Sequence, residues 1–193
     1  MAAAAMETDA IIAAARDWLG TPYVHQASVK GVGCDCLGLL RGVWRELKGE
    51  DAETPPPYAP DWAEATGQET LHQALTRHLR EIPVTQLAPG DIALFRMASR
   101  GPAKHCGIVS ERNGIQTLIH ARQNRRVSEE PLSAFWRGKL AYAFRLELTS
   151  PLWGGRSAVR TSGGGPTPVA NTAPHPELSP LRFETSDLPT RGR

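Results

Sequence analysis

Gly31-Val32-Gly33-Cys34-Asp35-Cys36-Leu37-Gly38-Leu39-Leu40-Arg41-Gly42-Val43-Trp44-Arg45-Glu46-Leu47 is the stretch whose reading decides the fold. In its second half Cys36, Leu39, Leu40, Val43, Trp44 and Leu47 recur at helical spacing and form one apolar stripe, with Arg41, Arg45, Glu46 and Lys48 elsewhere. The first half cannot be helix: Gly31 and Gly33 permit a tight turn, and Asp35 is placed to cap a helix that starts one residue later. Cys36 therefore falls on the first turn of a buried helix, where unpaired N–H groups and the positive end of the helix dipole favour a thiolate over a thiol. On this helix alone Cys36 reads equally as a nucleophile or as a small core residue, because free cysteine is among the most buried residue types.

Working outward, the 193 residues are enough for one good-sized domain and a tail, with 40% hydrophobic residues. The formal charge of +2 is too small to argue for a nucleic-acid partner. All of it comes from Arg156, Arg160, Arg182, Arg191 and Arg193 set against Glu177, Glu184 and Asp187, which leaves residues 1–150 formally neutral. No apolar run approaches the ~18 residues of a membrane span. The start, Met1 to Glu7, lacks a basic segment, and Arg16-Asp17 interrupts the one apolar run that could follow, so no classical export signal is expected. Three cysteines, 34, 36 and 106, are an odd count, and the first two are too close to bridge without strain. Free thiols and synthesis in a reducing compartment follow.

Before the central stretch, Thr8 as N-cap and Ile11, Ile12, Ala15, Trp18 and Leu19 on one face predict a helix closed by Gly20, then a loop to Gly33. After it, Pro55-Pro56-Pro57-Tyr58-Ala59-Pro60 must be extended. Leu71, Ala74, Leu75 and Leu79 predict a helix over about 66–80, with His72 and His78 on its wetter side. From Pro89-Gly90-Asp91 the pattern changes to strands at 92–96, 105–110, 115–121 and 141–146, with Asn113-Gly114 as a hairpin turn. Helices first and an antiparallel sheet after make an α+β domain over residues 1–150. Residues 151–193 hold seven Pro, six Gly and nine Ser or Thr, a composition that cannot offset its ordering entropy by burial.

The hairpin brings the chemistry together. Eight residues back from the turn centre stands His105 and about six onward stands His120, so both imidazoles lie near one end of the pair. If that end abuts the Cys36 helix, His105 can take the thiol proton while His120 orients the His105 ring through its other nitrogen. Cys106, next along the strand, points to the opposite face and into the core. Cys34, in the loop before the helix, is expected to be partly exposed and outside the chemistry.

The set resembles the NlpC-type cell-wall cysteine peptidases, which have a papain-like α+β fold and the order Cys, His, polar third residue. The matching stretches are residues 14–23, Asp35-Cys36-Leu37-Gly38-Leu39-Leu40, Pro89-Gly90-Asp91-Ile92, His105-Cys106-Gly107-Ile108 and Ile119-His120-Ala121, spanning most of 9–146. The run from Gly33 to Leu39, with Gly42-Val43-Trp44 after it, looks most like the branch found among tail proteins of phages and gene transfer agents. The resemblance implies Cys36 as nucleophile, His105 as general base and His120 as third residue. It implies Tyr23 as a residue that lines the site and helps hold the oxyanion, and Asp35 as an acid that orders the site or meets the substrate amine. Two departures touch the substrate side: Leu37 stands where many relatives have Ser, and His25 where many have an aromatic.

The activity this implies is hydrolysis of peptidoglycan stem peptides between D-γ-glutamyl and diaminopimelyl residues, with no cofactor and no metal. The expected setting is a phage-like tail or baseplate that opens the cell wall during delivery. The protein is then made in the cytoplasm and joined to particle proteins through residues 151–193, where Leu152-Trp153, Leu178, Leu181 and Phe183 would order on a partner. Three other readings stay open: a zinc site drawn from the cysteines and histidines, a structural tail-hub component with this fold and no turnover, and an amidase or acyltransferase on the same fold.

Overall fold

The computed structural model describes residues 2–58 and 67–148. Helix α1 (Ala2–Arg16) leads through turns to a two-stranded ribbon, β1 (Ser28–Val29) and β2 (Gly33–Cys34), and then to α2 (Cys36–Lys48). Helix α3 (Thr70–His78) follows, then β3 (Arg80–Ile82), a 3-10 turn (Val84–Gln86), β4 (Ile92–Phe95), β5 (His105–Arg112), β6 (Ile115–His120), β7 (Ser128–Pro131), α4 (Ala134–Lys139) and β8 (Leu140–Arg145). The main sheet runs in the order β3-β8-β4-β5-β6-β7, and every pairing in it is antiparallel. This is the expected α+β arrangement, helices first and an antiparallel sheet after.

Alternation along the strands splits the core in two. Ile92, Leu94, Cys106, Ile108, Ile119 and Phe144 face α1, α2 and α3, while Ala93, Phe95, Val109 and Leu118 face Leu132 and Trp136 on the other side. Helix α2 forms as its pattern requires. Asp35 is its N-cap and accepts a hydrogen bond from the Gly38 N–H at 2.8 Å, and Gly49, at a φ of 85°, closes it. Leu39, Leu40, Val43 and Trp44 are buried along it. Two glycines on α2 allow close neighbours: a Cβ at Gly38 would stand 1.8 Å from the Ala27 carbonyl oxygen, and one at Gly42 would stand 1.9 Å from the Trp18 ring. Arg16 ties α1 to the sheet through Glu129 at 2.9 Å and Ser110 at 2.9 Å.

Several expectations need correction. Helix α1 begins at Ala2, so Thr8 lies inside it and is no N-cap; the alanine run has the highest helix propensity and carries the helix outward. Leu19 is exposed beyond the helix end. The helix expected over 66–80 is shorter, because Arg80–Ile82 is drawn into pairing with β8 and takes Ile82 into the core. His72 and His78 are not on a wet face: each is half-buried, His72 against Tyr142 and Glu81, His78 against Glu53. Strand β7 and helix α4 were not expected at all. Cys34 is fully buried, because β2 pairs with β1 and seats it under α2. The expectations for residues 151–193, and for Ala59 and Pro60, fall outside the described residues.

Candidate active site

The α2 N-terminus meets the sheet where β5 begins and β6 ends. A cleft of about 330 Å³ opens there, lined among others by Tyr23, Asp35, Cys36, Lys104, His105 and Trp136. Cys36 is half-buried at its floor. In the thiol form its Sγ approaches the Lys104 carbonyl oxygen at 3.9 Å. Its pKa is held well below the ordinary thiol value, first by a hydrogen bond from the Cys106 thiol, against burial, which raises it, and then by the hydrogen bond and charge of His105. Cys106 moves the opposite way, well above the usual range, because the Cys36 thiolate and burial both disfavour a second negative charge. Cys34 is pushed up to about 12 by burial and by the charges of Asp35 and Cys36. Of the three thiols, Cys36 is the one whose ionised form the site favours, while those of Cys34 and Cys106 are disfavoured.

His105 Nε2 lies 2.9 Å from His120 Nδ1. The register explains it: Ile108 pairs with Ile119, which sets Gly107 opposite His120 and His105 on the diagonal. Gly107 makes this possible, since a Cβ there would stand 3.0 Å from the His120 Cβ and 2.7 Å from Leu118. The His105 ring stacks on Trp136 with centroids 5.5 Å apart and planes at 28°. His120 has no exposed surface, and its pKa is lowered to about 3 by burial and then by the positive charges of His105 and Arg122, so it is a neutral imidazole at working pH.

Asp35 is buried beneath the cleft, and both carboxylate oxygens are engaged. One accepts from Gly38 N–H at 2.8 Å; the other accepts from Gln26 N–H at 2.8 Å and from the Tyr58 hydroxyl at 2.6 Å. That pattern orders the site, and Asp35 also lines the cleft. The Tyr23 phenol pKa is raised by burial and then by Asp35 and Cys36, so the group stays a hydrogen-bond donor at neutral pH. His25, at the cleft wall, sits 2.8 Å from the Tyr58 carbonyl oxygen through Nε2 and meets the Tyr58 ring edge-on. Leu37, the other departure, lines the same wall.

Sequence reasoning missed Tyr58, Glu130 and Trp136. Tyr58 lies within the run Pro55-Pro56-Pro57-Tyr58-Ala59-Pro60, whose extended reading carries no sign of its contact with Asp35. Glu130 and Trp136 lie on the two elements that were not foreseen. Among the described residues no group of three or more His, Cys, Asp or Glu is arranged to hold a metal ion.

Against this geometry, a sequence profile described as the NlpC/P60 family matches residues 20–145. The chain belongs to the NlpC/P60 family. Its match begins at Gly20 and takes in Tyr23, Asp35, Cys36, His105 and His120. The gamma-DL-glutamyl hydrolase of Bacillus subtilis is 27% identical over 143 residues, which is 73% of this chain and 30% of that protein, so the NlpC/P60 chain spans less than a third of its relative's length. Among solved structures, the NlpC/p60 domain of the peptidoglycan hydrolase SagA superposes with a TM-score of 0.52 at 24% identity, covering 72% of this chain and 98% of that one. An NlpC/P60 family protein from Bacillus cereus superposes at 0.50 with 21% identity, over 72% of this chain and 39% of that one. These likenesses fix the papain-like fold of the NlpC/P60 domain.

Proposed function

We propose that the protein is a cysteine endopeptidase that hydrolyses peptidoglycan stem peptides at D-γ-glutamyl-diaminopimelyl bonds. The observation that carries the reading is the low-pKa Cys36 thiol beside His105 on the floor of an open cleft. Cys36 gives its proton to His105, and the thiolate attacks the γ-carbonyl carbon. The oxyanion that forms is met by the first backbone N–H groups of α2 and by the Tyr23 hydroxyl. Its collapse breaks the C–N bond; His105 protonates the departing amine, leaving a thioester on Cys36. Water, deprotonated by His105, then attacks the thioester and releases the glutamyl carboxylate and the thiol. His120 holds the His105 ring throughout. Lys104 and Arg122 on the cleft wall suit a substrate whose glutamyl unit carries a free carboxylate beside the scissile amide.

The same reading places the enzyme in a phage-like tail or baseplate, made in the cytoplasm and acting in the envelope of a target cell, with residues 151–193 as its anchor to a neighbouring particle protein. It rests on the sequence of the Gly33–Leu39 run and on the apolar clusters within the Pro/Gly-rich segment. Truncation after residue 150 is expected to keep hydrolysis and lose incorporation into particles; normal incorporation would reject the anchor. For the chemistry, purified peptidoglycan is digested and the fragments are weighed. New diaminopimelyl amino ends and free glutamyl γ-carboxylates are expected. Release of intact stem peptides from the sugar would instead mean an amidase, and no release at all would leave a structural component.

A further inference from the structure

A third acidic member stands behind the two histidines. His105, His120 and Glu130 lie on adjacent strands β5, β6 and β7 and on one face of the sheet. Leu118 pairs with Glu130 and His120 with Ser128, so Glu130 is the diagonal neighbour of His120, as His120 is of His105. The line ends at a carboxylate: Glu130 Oε1 is 3.2 Å from His120 Nε2. Its angle falls short of a hydrogen bond, and His120 Nε2 has no other hydrogen-bond partner although it is fully buried. A buried imidazole N–H left unpaired is costly, and a small rotation of the carboxylate removes that cost. The same Oε1 is fixed by Trp136, whose indole N–H donates to it at 2.7 Å, and Arg122 Nη1 lies 3.6 Å away.

We infer that Glu130 is a positioning residue of the catalytic line, setting the tautomer of His120 and through it the proton on His105. With Glu130 as acceptor, His120 carries its proton on Nε2, and its Nδ1 is a bare acceptor. His105 Nε2 then donates to that acceptor, which frees His105 Nδ1 to take the Cys36 proton. Without the carboxylate, His120 can hold its proton on Nδ1 and oppose His105 donor to donor. The groups facing His120 are His105 from β5, Arg122 from the segment after β6, Glu130 from β7 and Trp136 from α4; among them Glu130 alone is an acceptor for Nε2. The inference rests on the proposed roles of Cys36 and His105, but its test does not depend on peptidoglycan.

Nitrogen-15 imidazole spectra of the full chain report each tautomer directly, and iodoacetamide alkylation of Cys36, read by peptide mass, reports the thiolate. Wild-type His120 is expected as the Nε2–H form. Glu130→Ala is expected to mix the His120 tautomers and to slow alkylation at pH 7 by about tenfold. Glu130→Gln keeps an acceptor oxygen and is expected to restore the tautomer and most of the rate, which a loss of packing alone would not do. An Nδ1–H form in the wild type overturns the inference, whether or not the alanine variant folds. So does a Glu130→Ala protein with the wild-type tautomer or the wild-type alkylation rate. Absence of peptidoglycan hydrolysis in the wild type would sink the proposed activity while leaving these readings intact.

Discussion

Cys106 donates its thiol hydrogen to the main-chain oxygen of Cys36 across 3.4 Å, so the strand that carries His105 grips the first turn of the helix that carries the reactive thiol. The contact joins the two halves of the site from below, within the core. When Cys36 ionises, the same thiol hydrogen turns from that oxygen to the thiolate, so a buried cysteine whose own pKa is raised helps to hold the other one ionised.

Cys106→Val keeps the volume and removes the donor. The Cys36 thiolate then loses the largest influence that lowers its pKa, and the pH at which alkylation reaches half its maximum rate is expected to rise. Stability is expected to fall by about 1 kcal/mol. An unchanged alkylation profile would mean that Cys106 only fills space.

Gly42→Ala sets two effects against each other. Alanine favours helix over glycine by about 1 kcal/mol, but the added methyl would stand 1.9 Å from a Trp18 ring that is itself buried. A ring held by the core and by its N–H bond to Glu46 at 2.8 Å cannot swing away. Overpacking costs about 1–3 kcal/mol and wins, so denaturant unfolding is expected to show a net loss. A stabilised variant would show that α2 and the segment after α1 shift apart freely.

Asp35→Ala removes the N-cap of α2 and the carboxylate that accepts from the Tyr58 hydroxyl and the Gln26 N–H. A loss of about 2 kcal/mol in unfolding free energy is expected from the cap alone. Asp35→Asn keeps an acceptor for Gly38 and is expected to cost less. Equal losses in the two variants would place the importance of Asp35 in its charge.

The His120 pKa, lowered from 6.5 to about 3, ties stability to pH. A base whose folded pKa is depressed leaves the folded state with fewer protons than the unfolded one below pH 6.5. Stability is therefore full above that value and is lost as pH falls from 6.5 towards 3, by up to about 1.4 kcal/mol per pH unit. His120→Asn removes this dependence. The stability difference between wild type and variant is expected to shrink between pH 7 and pH 5; parallel curves would contradict the burial of a neutral His120.

What the sequence made legible was whatever rested on local rules. Asp35 before an apolar stripe specified the α2 start, and Asn113-Gly114, both at positive φ, specified the hairpin register that aligns His105 with His120. Strand β7 was hidden because Ser128-Glu129-Glu130-Pro131 has no apolar alternation. Glu129 is held against the sheet by Arg16, Arg112, Ser110 and Thr117 instead of by hydrophobic burial. Helix α4, six residues long, is too short to show a period. Cys34 looked like a loop residue because a two-residue strand leaves no pattern, and its burial comes from tertiary pairing. The roles of Tyr58 and Glu130 in the site depend on contacts across 23 and 10 residues of sequence, to Asp35 and His120, which no local rule reaches.

The central claim is that Cys36 is the nucleophile, and the measurement that tests it most directly is limited alkylation at pH 7 with iodoacetamide, followed in parallel by peptide mapping and by residual peptidoglycan hydrolysis. A single carboxamidomethyl group on Cys36, gained in proportion to the hydrolysis lost, is the predicted result. Labelling of Cys34 or Cys106 ahead of Cys36, or hydrolysis that persists after Cys36 is fully blocked, would contradict it.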